Sequence, residues 1–152
     1  MKKRNTVNLN NARTHEQRAV MKDIVAKGVC PFCPEELTQF HKKPIIKEGD
    51  FWILTENQWP YKNTQVHLLA ILKKHGETLI DLPEGAGEEL IELFKWAEKK
   101  YRITGGGFAM RFGDISINGA TVRHLHAQII FPKQGDEPPR FYVGSRREKE
   151  IS

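Results

Sequence analysis

The chain has 152 residues, 39% of them hydrophobic, and a formal net charge of +5. This length is usual for one domain, and the apolar residues suffice for one core. No apolar run approaches the ~20 residues needed to cross a bilayer, and no signal-peptide segment follows the basic N-terminus. Because the chain has two cysteines and no export signal, we expect a cytoplasmic protein without a membrane partner. The positive charge suits any phosphorylated ligand and does not by itself indicate nucleic acid.

The N-terminal part predicts a flexible segment followed by a short helix. Residues 1–13 are polar, and we expect them to be loose. Thr14 and Gln17 have the spacing of a capping box at a helix start. Gly28 is placed to end that helix. The apolar stripe between them consists of Val20, Met21, Ile24 and Val25.

The rest of the chain predicts strands around one long helix. Residues 51–55 and 66–72 resemble paired strands across a turn near Pro60. A helix is expected over 83–101, with Pro83 in its first turn. Strands are expected over 108–112 and 121–131, followed by a polar tail at 132–152. This order predicts a single α+β domain over 14–131 with an antiparallel sheet, and no internal repeat is evident.

The last predicted strand carries the most informative pattern. His124, His126 and Gln128 alternate with apolar residues. Alternate side chains of a strand point to opposite faces, so these three would share one surface. Such a surface suits a phosphate-receiving site, in which one ring attacks and its neighbours orient and neutralise. The alternative is a strand whose polar residues face water.

This pattern resembles the signature of the histidine triad (HIT) superfamily, His-x-His-x-His followed by apolar residues, with Gln128 replacing the third His. The His-x-His-x-Gln form is similar to the branch of dinucleoside polyphosphate phosphorylases and galactose-1-phosphate uridylyltransferases. The similarity covers about residues 50–131, including segments 51–57, 67–71 and 73–82. It implies an antiparallel sheet of about five strands with one long and one short helix, commonly as a homodimer. The uridylyltransferases carry two copies of this fold, whereas this chain has one.

Cys30 and Cys33 form a second motif, Cys-x-x-Cys. A lone pair is weak evidence for zinc, which takes four ligands, and a redox pair or two ordinary buried thiols are the alternatives. Pro34 disfavours a thioredoxin-like helix directly after the second Cys. The candidate histidine ligands are His41, His67, His75 and His124. The resemblance implies one structural Zn²⁺ per chain at Cys30, Cys33, His75 and His124, with His41 or His67 left open as replacements.

The resemblance implies that His126 attacks the α-phosphate of a nucleotide and forms a nucleotidyl-histidine intermediate. The expected substrate is a dinucleoside polyphosphate, such as diadenosine tetraphosphate, or a nucleotide sugar. The acceptor is phosphate, a phosphorylated compound or water. Gln128 does not titrate near neutrality, but its amide can donate a hydrogen bond to a phosphoryl oxygen. We therefore favour a phosphorylase or transferase over a simple hydrolase.

Four further residues are candidates for substrate binding. The resemblance places Asn57 near the ribose and Thr121 at the α-phosphate, and Asn118-Gly119 would let the backbone approach a phosphate. Ordinary turns and strand propensity are the alternative interpretations. Where many HIT hydrolases carry a Gln, this chain has Ala120, and we expect His67 to be structural.

The competing functional class is a nucleotide-binding or regulatory HIT-like protein with weak or no catalysis. A deadenylating role on nucleic acid is a distant third, because the chain shows no aromatic and basic platform for single strands. The pattern leaves the base, the leaving group and the acceptor open.

Overall fold

The computed structural model describes residues 4–135 and 137–145. Its centre is one antiparallel five-stranded sheet with the order β1-β2-β3-β5-β4. The strands are β1 (Ile45–Glu48), β2 (Trp52–Glu56), β3 (Thr64–Leu72), β4 (Gly107–Met110) and β5 (His126–Pro132). The helices are α1 (His15–Lys27), α2 (Pro34–Phe40), α3 (Ala86–Lys100) and α4 (Ile115–Asn118). The expected α+β class and antiparallel sheet are confirmed.

One face of the sheet packs on α3. Apolar residues recur along α3 at helical spacing, so they form one stripe against the sheet. The core on this side contains Trp52, Leu54, Leu68, Ala70, Leu72, Leu90, Leu93, Phe94, Ala97, Leu125, Ala127 and Ile129. Trp52 is fully buried and its indole N–H donates to Ala86 O at 2.8 Å. This face therefore supplies the main hydrophobic stabilisation.

Glu89 of α3 fixes the turn between β1 and β2. Its carboxylate accepts hydrogen bonds from the backbone N–H groups of Asp50, Phe51 and Trp52 at 2.5, 2.8 and 2.9 Å. These donors lie in the turn and at the first residue of β2, so the carboxylate accepts from backbone N–H groups at the start of the strand. The contact ties the edge of the sheet to the helix.

The opposite face is covered by the N-terminal part of the chain. Val7, Ala12, Met21, Ile24, Phe40 and Val122 form a second core there. Val7 pairs with Val122, and Arg123 N donates to Thr6 O at 2.6 Å. A 3-10 turn at Leu9–Asn11 follows. We expected residues 1–13 to be loose, but Val7 to Ala12 pack closely because the chain folds back onto the segment before β5. Residues 1–3, and 146–152 of the expected C-terminal tail, lie outside the described part.

Thr14 and Gly28 delimit α1 as expected. Thr14 Oγ1 accepts from Gln17 N at 3.0 Å, and Gly28 adopts the left-handed conformation that ends the helix. The Gln17 side chain reaches one residue further back than a capping box requires, because its Oε1 accepts from Arg13 N at 2.9 Å. The start of α1 is thus linked to the segment before it.

Three details of the expected layout are wrong. The expected single short helix is joined by two others, α2 and α4. Pro34 does not prevent a helix after Cys33 but begins one, because the first helical position needs no N–H and suits the fixed φ of proline. The motif strand begins at His126 and not at residue 121, so His124 lies in the loop before β5.

Within residues 4–135 and 137–145, no helix is long and apolar enough to span a membrane.

Candidate functional site

Four metal-ligating side chains meet where the Cys-x-x-Cys turn approaches the loop before β5. The donor atoms of Cys30, Cys33, His75 and His124 all lie within 4.8 Å of one another. His124 Nδ1 is 3.4 Å from Cys30 Sγ and 3.7 Å from Cys33 Sγ. His75 Nδ1 is 3.3 Å from Cys33 Sγ and 3.2 Å from His124 Nδ1. The four residues that the resemblance implied therefore come together.

These distances between donor atoms match the distances between ligand atoms in a tetrahedral zinc site. Zn–S bonds of about 2.3 Å and Zn–N bonds of about 2.0–2.1 Å at tetrahedral angles place S and N about 3.6 Å apart and two N atoms about 3.3 Å apart. His124 Nε2 donates to Leu72 O at 2.6 Å, which leaves Nδ1 as the ligand atom. Burial raises the pKa of the Cys33 thiol to about 12. A cation bound here would stabilise the thiolate instead, so the donor set fits one structural zinc ion.

The two other candidate histidines have different partners. His41 Nε2 lies 2.7 Å from Thr55 Oγ1, and the Thr55 hydroxyl donates to Pro44 O at 2.8 Å. His67 is hydrogen-bonded to Gln128 at 2.7 Å. Neither replaces a member of the metal-ligating cluster.

His126 is held by two groups from the zinc-ligand region. Its Nδ1–H donates to His124 O at 2.7 Å. The ring of Phe32, between the two cysteines, packs edge-on against the His126 ring with centroids 5.0 Å apart. The hydrogen bond occupies Nδ1, so Nε2 is the nitrogen with a free lone pair. Burial lowers the pKa of His126 to about 4, which keeps the ring neutral and nucleophilic at neutral pH.

His126 and Gln128 line one cavity on the face of the sheet opposite α3. The register pairs His126 with Ile71 and Gln128 with Leu69, which places the site beside the C-terminal half of β3. Apolar residues of α1 and α2 close one side of this cavity, including Val20, Met21, Ile24 and Phe40. The cavity thus combines an apolar wall with a reactive polar floor, the usual composition of a small-molecule site.

A chain of hydrogen bonds orients Gln128. Tyr61 N–H donates to His67 Nδ1 at 3.1 Å, so the proton of the neutral ring is on Nε2. That Nε2–H donates to Gln128 Oε1 at 2.7 Å. The amide NH₂ of Gln128 is therefore left to donate into the cavity beside His126. Burial lowers the pKa of His67 to about 4, which maintains this arrangement at neutral pH. His67, which we expected to be structural, thus contacts the candidate catalytic residue Gln128 without lining the cavity itself.

Three of the four candidate substrate-binding residues line the cavity of His126, and the fourth does not. Asn57, Gly119 and Thr121 line the cavity with His126. Asn57 Oδ1 accepts from Trp59 N at 2.8 Å, whereas its Nδ2 lies 3.1 Å from His67 Nε2, a contact between two donors in this tautomer. Asn118 does not line the cavity. Its side chain binds Phe112 O and Ala120 N, both at 2.8 Å, and so shapes the loop that carries Gly119 and Thr121.

Two arginines at the site were not expected from the sequence. Arg13 and Arg111 line the cavity with His126 and Gln128, and their charges also lower the pKa of His126. Arg111 directly follows β4, and Arg13 directly precedes the cap of α1. An arginine beside the end of an element is a common surface residue, so its position along the chain gave no functional signal.

No protein-family model matches this sequence, and no curated protein sequence matches it. Solved structures do. A histidine triad nucleotide-binding protein from Candida albicans is 22% identical over 79% of this chain and 85% of its own, with a TM-score of 0.61. A zinc-bound histidine triad family protein from Mycobacterium smegmatis is 21% identical over 80% and 86%, with a TM-score of 0.56. A HIT family hydrolase from Clostridium thermocellum is 23% identical over 71% and 94%, with a TM-score of 0.53.

The chain therefore has the histidine triad fold. The resemblance drawn from the sequence motif is confirmed at the level of the fold, because the matching structures cover about four fifths of this chain.

Proposed function

We propose that this protein is a histidine triad enzyme that transfers a nucleotidyl group through His126. The observation that carries the proposal is the placement of the His126 ring: its Nδ1–H donates to His124 O, which leaves Nε2 with the free lone pair, and the ring borders a cavity with Gln128. Nε2 attacks the α-phosphorus, the bond from phosphorus to the leaving oxygen breaks, and the leaving group departs with the electron pair.

Gln128 stabilises the phosphoryl oxygens during this step. The hydrogen bond from His67 fixes its Oε1, so its NH₂ group faces the developing charge without reorganising. An amide neither gives a proton to the leaving group nor accepts one from an attacking water. The nucleotidyl-His126 intermediate is then consumed by phosphate or a phosphorylated acceptor in preference to water. The substrate is a dinucleoside polyphosphate or a nucleotide sugar, and we propose that the protein acts as a cytoplasmic homodimer.

Cys30, Cys33, His75 and His124 hold one structural zinc ion in this proposal. Zinc supplies a rigid cross-link between the Cys-x-x-Cys turn and the loop before β5, and no chemical step. That cross-link fixes Phe32 and His124 O, the two groups that orient His126. The purified protein is expected to contain one zinc per chain by elemental analysis, and Cys33→Ser to lose it. Metal-free wild-type protein, purified without chelator, would contradict this assignment.

The test of the chemistry is intact-protein mass spectrometry after mixing with diadenosine tetraphosphate, ATP or UDP-glucose and quenching at alkaline pH. We expect a mass increase of one nucleotidyl group in the wild type and in the control His15→Ala, which alters an exposed histidine of α1. We expect none in His126→Ala. Binding of these nucleotides with no adduct in the wild type would instead support the alternative, a nucleotide-binding protein with weak or no catalysis.

A further inference from the structure

Arg13 and Arg111 approach one tyrosine at the mouth of the cavity. Arg13 Cζ lies 4.5 Å from the centroid of the Tyr61 ring, and Arg111 Nη2 lies 3.4 Å from Tyr61 Oη. Arg13 also donates to Trp59 O. Both guanidinium groups line the same cavity as His126 and Gln128. Two fixed positive charges thus stand beside the proposed nucleophile.

The C-terminal segment 141–145 holds Arg111 in place. Arg111 Nε donates to Tyr142 O at 2.7 Å, and its Cζ lies 3.9 Å from the centroid of the Phe141 ring. The segment is itself attached to the loop before β5, because Gly144 N donates to Asn118 O at 3.1 Å. Across the chain that the structure describes, no carboxylate forms a salt bridge with Arg111. Its charge is therefore held in a fixed orientation, without a carboxylate partner among residues 4–135 and 137–145.

Arg13 lies between the cavity of His126 and a wider groove. Arg13 lines both, and the groove is further bordered by Trp59, Tyr61 and Lys62. Arg140 also borders the groove, where it forms a salt bridge with Glu137 at 2.8 Å. A ligand that extends from His126 into this groove would pass the residues that line both, which include Arg13. Planar guanidinium groups suit the oxygens of phosphate, which they bind with two parallel hydrogen bonds.

We propose that Arg13 and Arg111 form a second phosphate subsite, which binds the phosphate group adjacent to the one that His126 attacks. The proposal rests on the proposed function and names the residues that would hold the second of the linked phosphates in its substrates. When Nε2 bonds to the α-phosphorus and the bridging oxygen leaves, that oxygen keeps the electron pair, and the arginines neutralise its charge. In the second half-reaction a phosphate oxygen attacks the same phosphorus, the P–N bond breaks, and Nε2 recovers its electron pair.

The binding test uses pyrophosphate and the full-length, zinc-loaded His126→Ala protein, in which no turnover occurs. Isothermal titration should show that adding Arg111→Gln or Arg13→Gln weakens pyrophosphate binding by about ten-fold or more, the usual effect of losing a charged hydrogen bond. Arg111→Lys keeps the charge but loses the planar fork, and should bind with intermediate affinity. The control Lys95→Gln removes a positive charge from α3, on the other side of the sheet, and should bind like its parent. Equal affinity in all variants would overturn the proposal.

The phosphate that occupies this subsite could belong to the nucleotide donor or be the acceptor. Rapid-quench experiments on proteins with His126 intact distinguish the two. If it belongs to the donor, Arg111→Gln slows labelling of His126 by diadenosine tetraphosphate. If it is the acceptor, labelling is unchanged, and the consumption of the intermediate by inorganic phosphate slows. No change in either step would refute the subsite. A wild-type protein that is never labelled would refute the proposed function alone, since pyrophosphate binding still decides the subsite.

Discussion

The protonation state of His67 predicts a specific loss of stability in acid. Burial lowers the pKa of His67 to about 4 in the folded protein, whereas an unfolded chain has a histidine pKa of ~6.5. Between these values the unfolded state binds a proton that the folded state does not, so the free energy of unfolding falls as the pH falls through 6.5. The loss is complete below the folded pKa and amounts to about 3 kcal/mol in total, of which about 2 kcal/mol is reached by pH 5.

The assay is urea unfolding followed by tryptophan fluorescence at pH 7 and pH 5, in the zinc-loaded wild type and in His67→Gln. The other buried histidines contribute equally to both proteins, so their effects cancel in the difference. The wild type should lose about 2 kcal/mol more than His67→Gln between the two pH values. The exposed His15→Gln variant should behave like the wild type. Equal losses in the wild type and His67→Gln would refute the neutral His67 and, with it, the hydrogen-bond chain that orients Gln128.

Three further outcomes follow from contacts in the structure. Glu89→Gln should lower the free energy of unfolding by about 2 kcal/mol, because the Glu89 carboxylate accepts hydrogen bonds from three backbone N–H groups. The control Glu88→Gln, at an exposed neighbour, should change it by no more than about 0.5 kcal/mol. Similar values for the two variants in urea unfolding would argue against the role of Glu89 in fixing the turn. Gly119→Ala should destabilise more than Gly113→Ala, since both have a φ of 84° but only at Gly119 would a Cβ overlap Gly144 O. Hydrogen exchange should then rise in residues 141–145 for Gly119→Ala alone. Phe32→Ala should slow nucleotide labelling of His126 by about ten-fold, because a misplaced reacting group reacts more slowly, and its zinc content should be unchanged. Loss of zinc would instead indicate that the Cys-x-x-Cys turn has collapsed.

The periodic elements could be predicted from the sequence because their signals are local. Thr14 and Gly28 mark the ends of α1, and the apolar stripe of α3 identifies its buried face. The short helix α2 was missed because seven residues give little periodicity and Pro34 resembles a breaker as much as a first helical residue. The start of β5 was misplaced because the alternation of polar and apolar residues continues back through His124, whose side chain is positioned by the metal-ligating cluster and not by strand pairing.

The reactive residues could be recognised from the sequence, whereas the residues that position them could not. His126, Gln128 and the four zinc ligands stand in recognisable spacings, and the resemblance implied their grouping. Arg111 and Tyr61 are 50 residues apart, and nothing in either local sequence links them. The same holds for His67 and Gln128, which only the pairing of β3 with β5 brings together. Contacts of this kind depend on strand register and loop path, which no local pattern specifies.

The seven residues of β5 alternate between two roles, packing in the core and bordering the cavity. Its odd-numbered positions, such as Ala127 and Ile129, belong to the core against α3, whereas the even-numbered His126 and Gln128 border the cavity. A library randomised at the odd positions would therefore mainly select for folding, and one randomised at the even positions for chemistry. New substrate preferences can arise on this strand without repacking the interior, provided that no insertion shifts its phase.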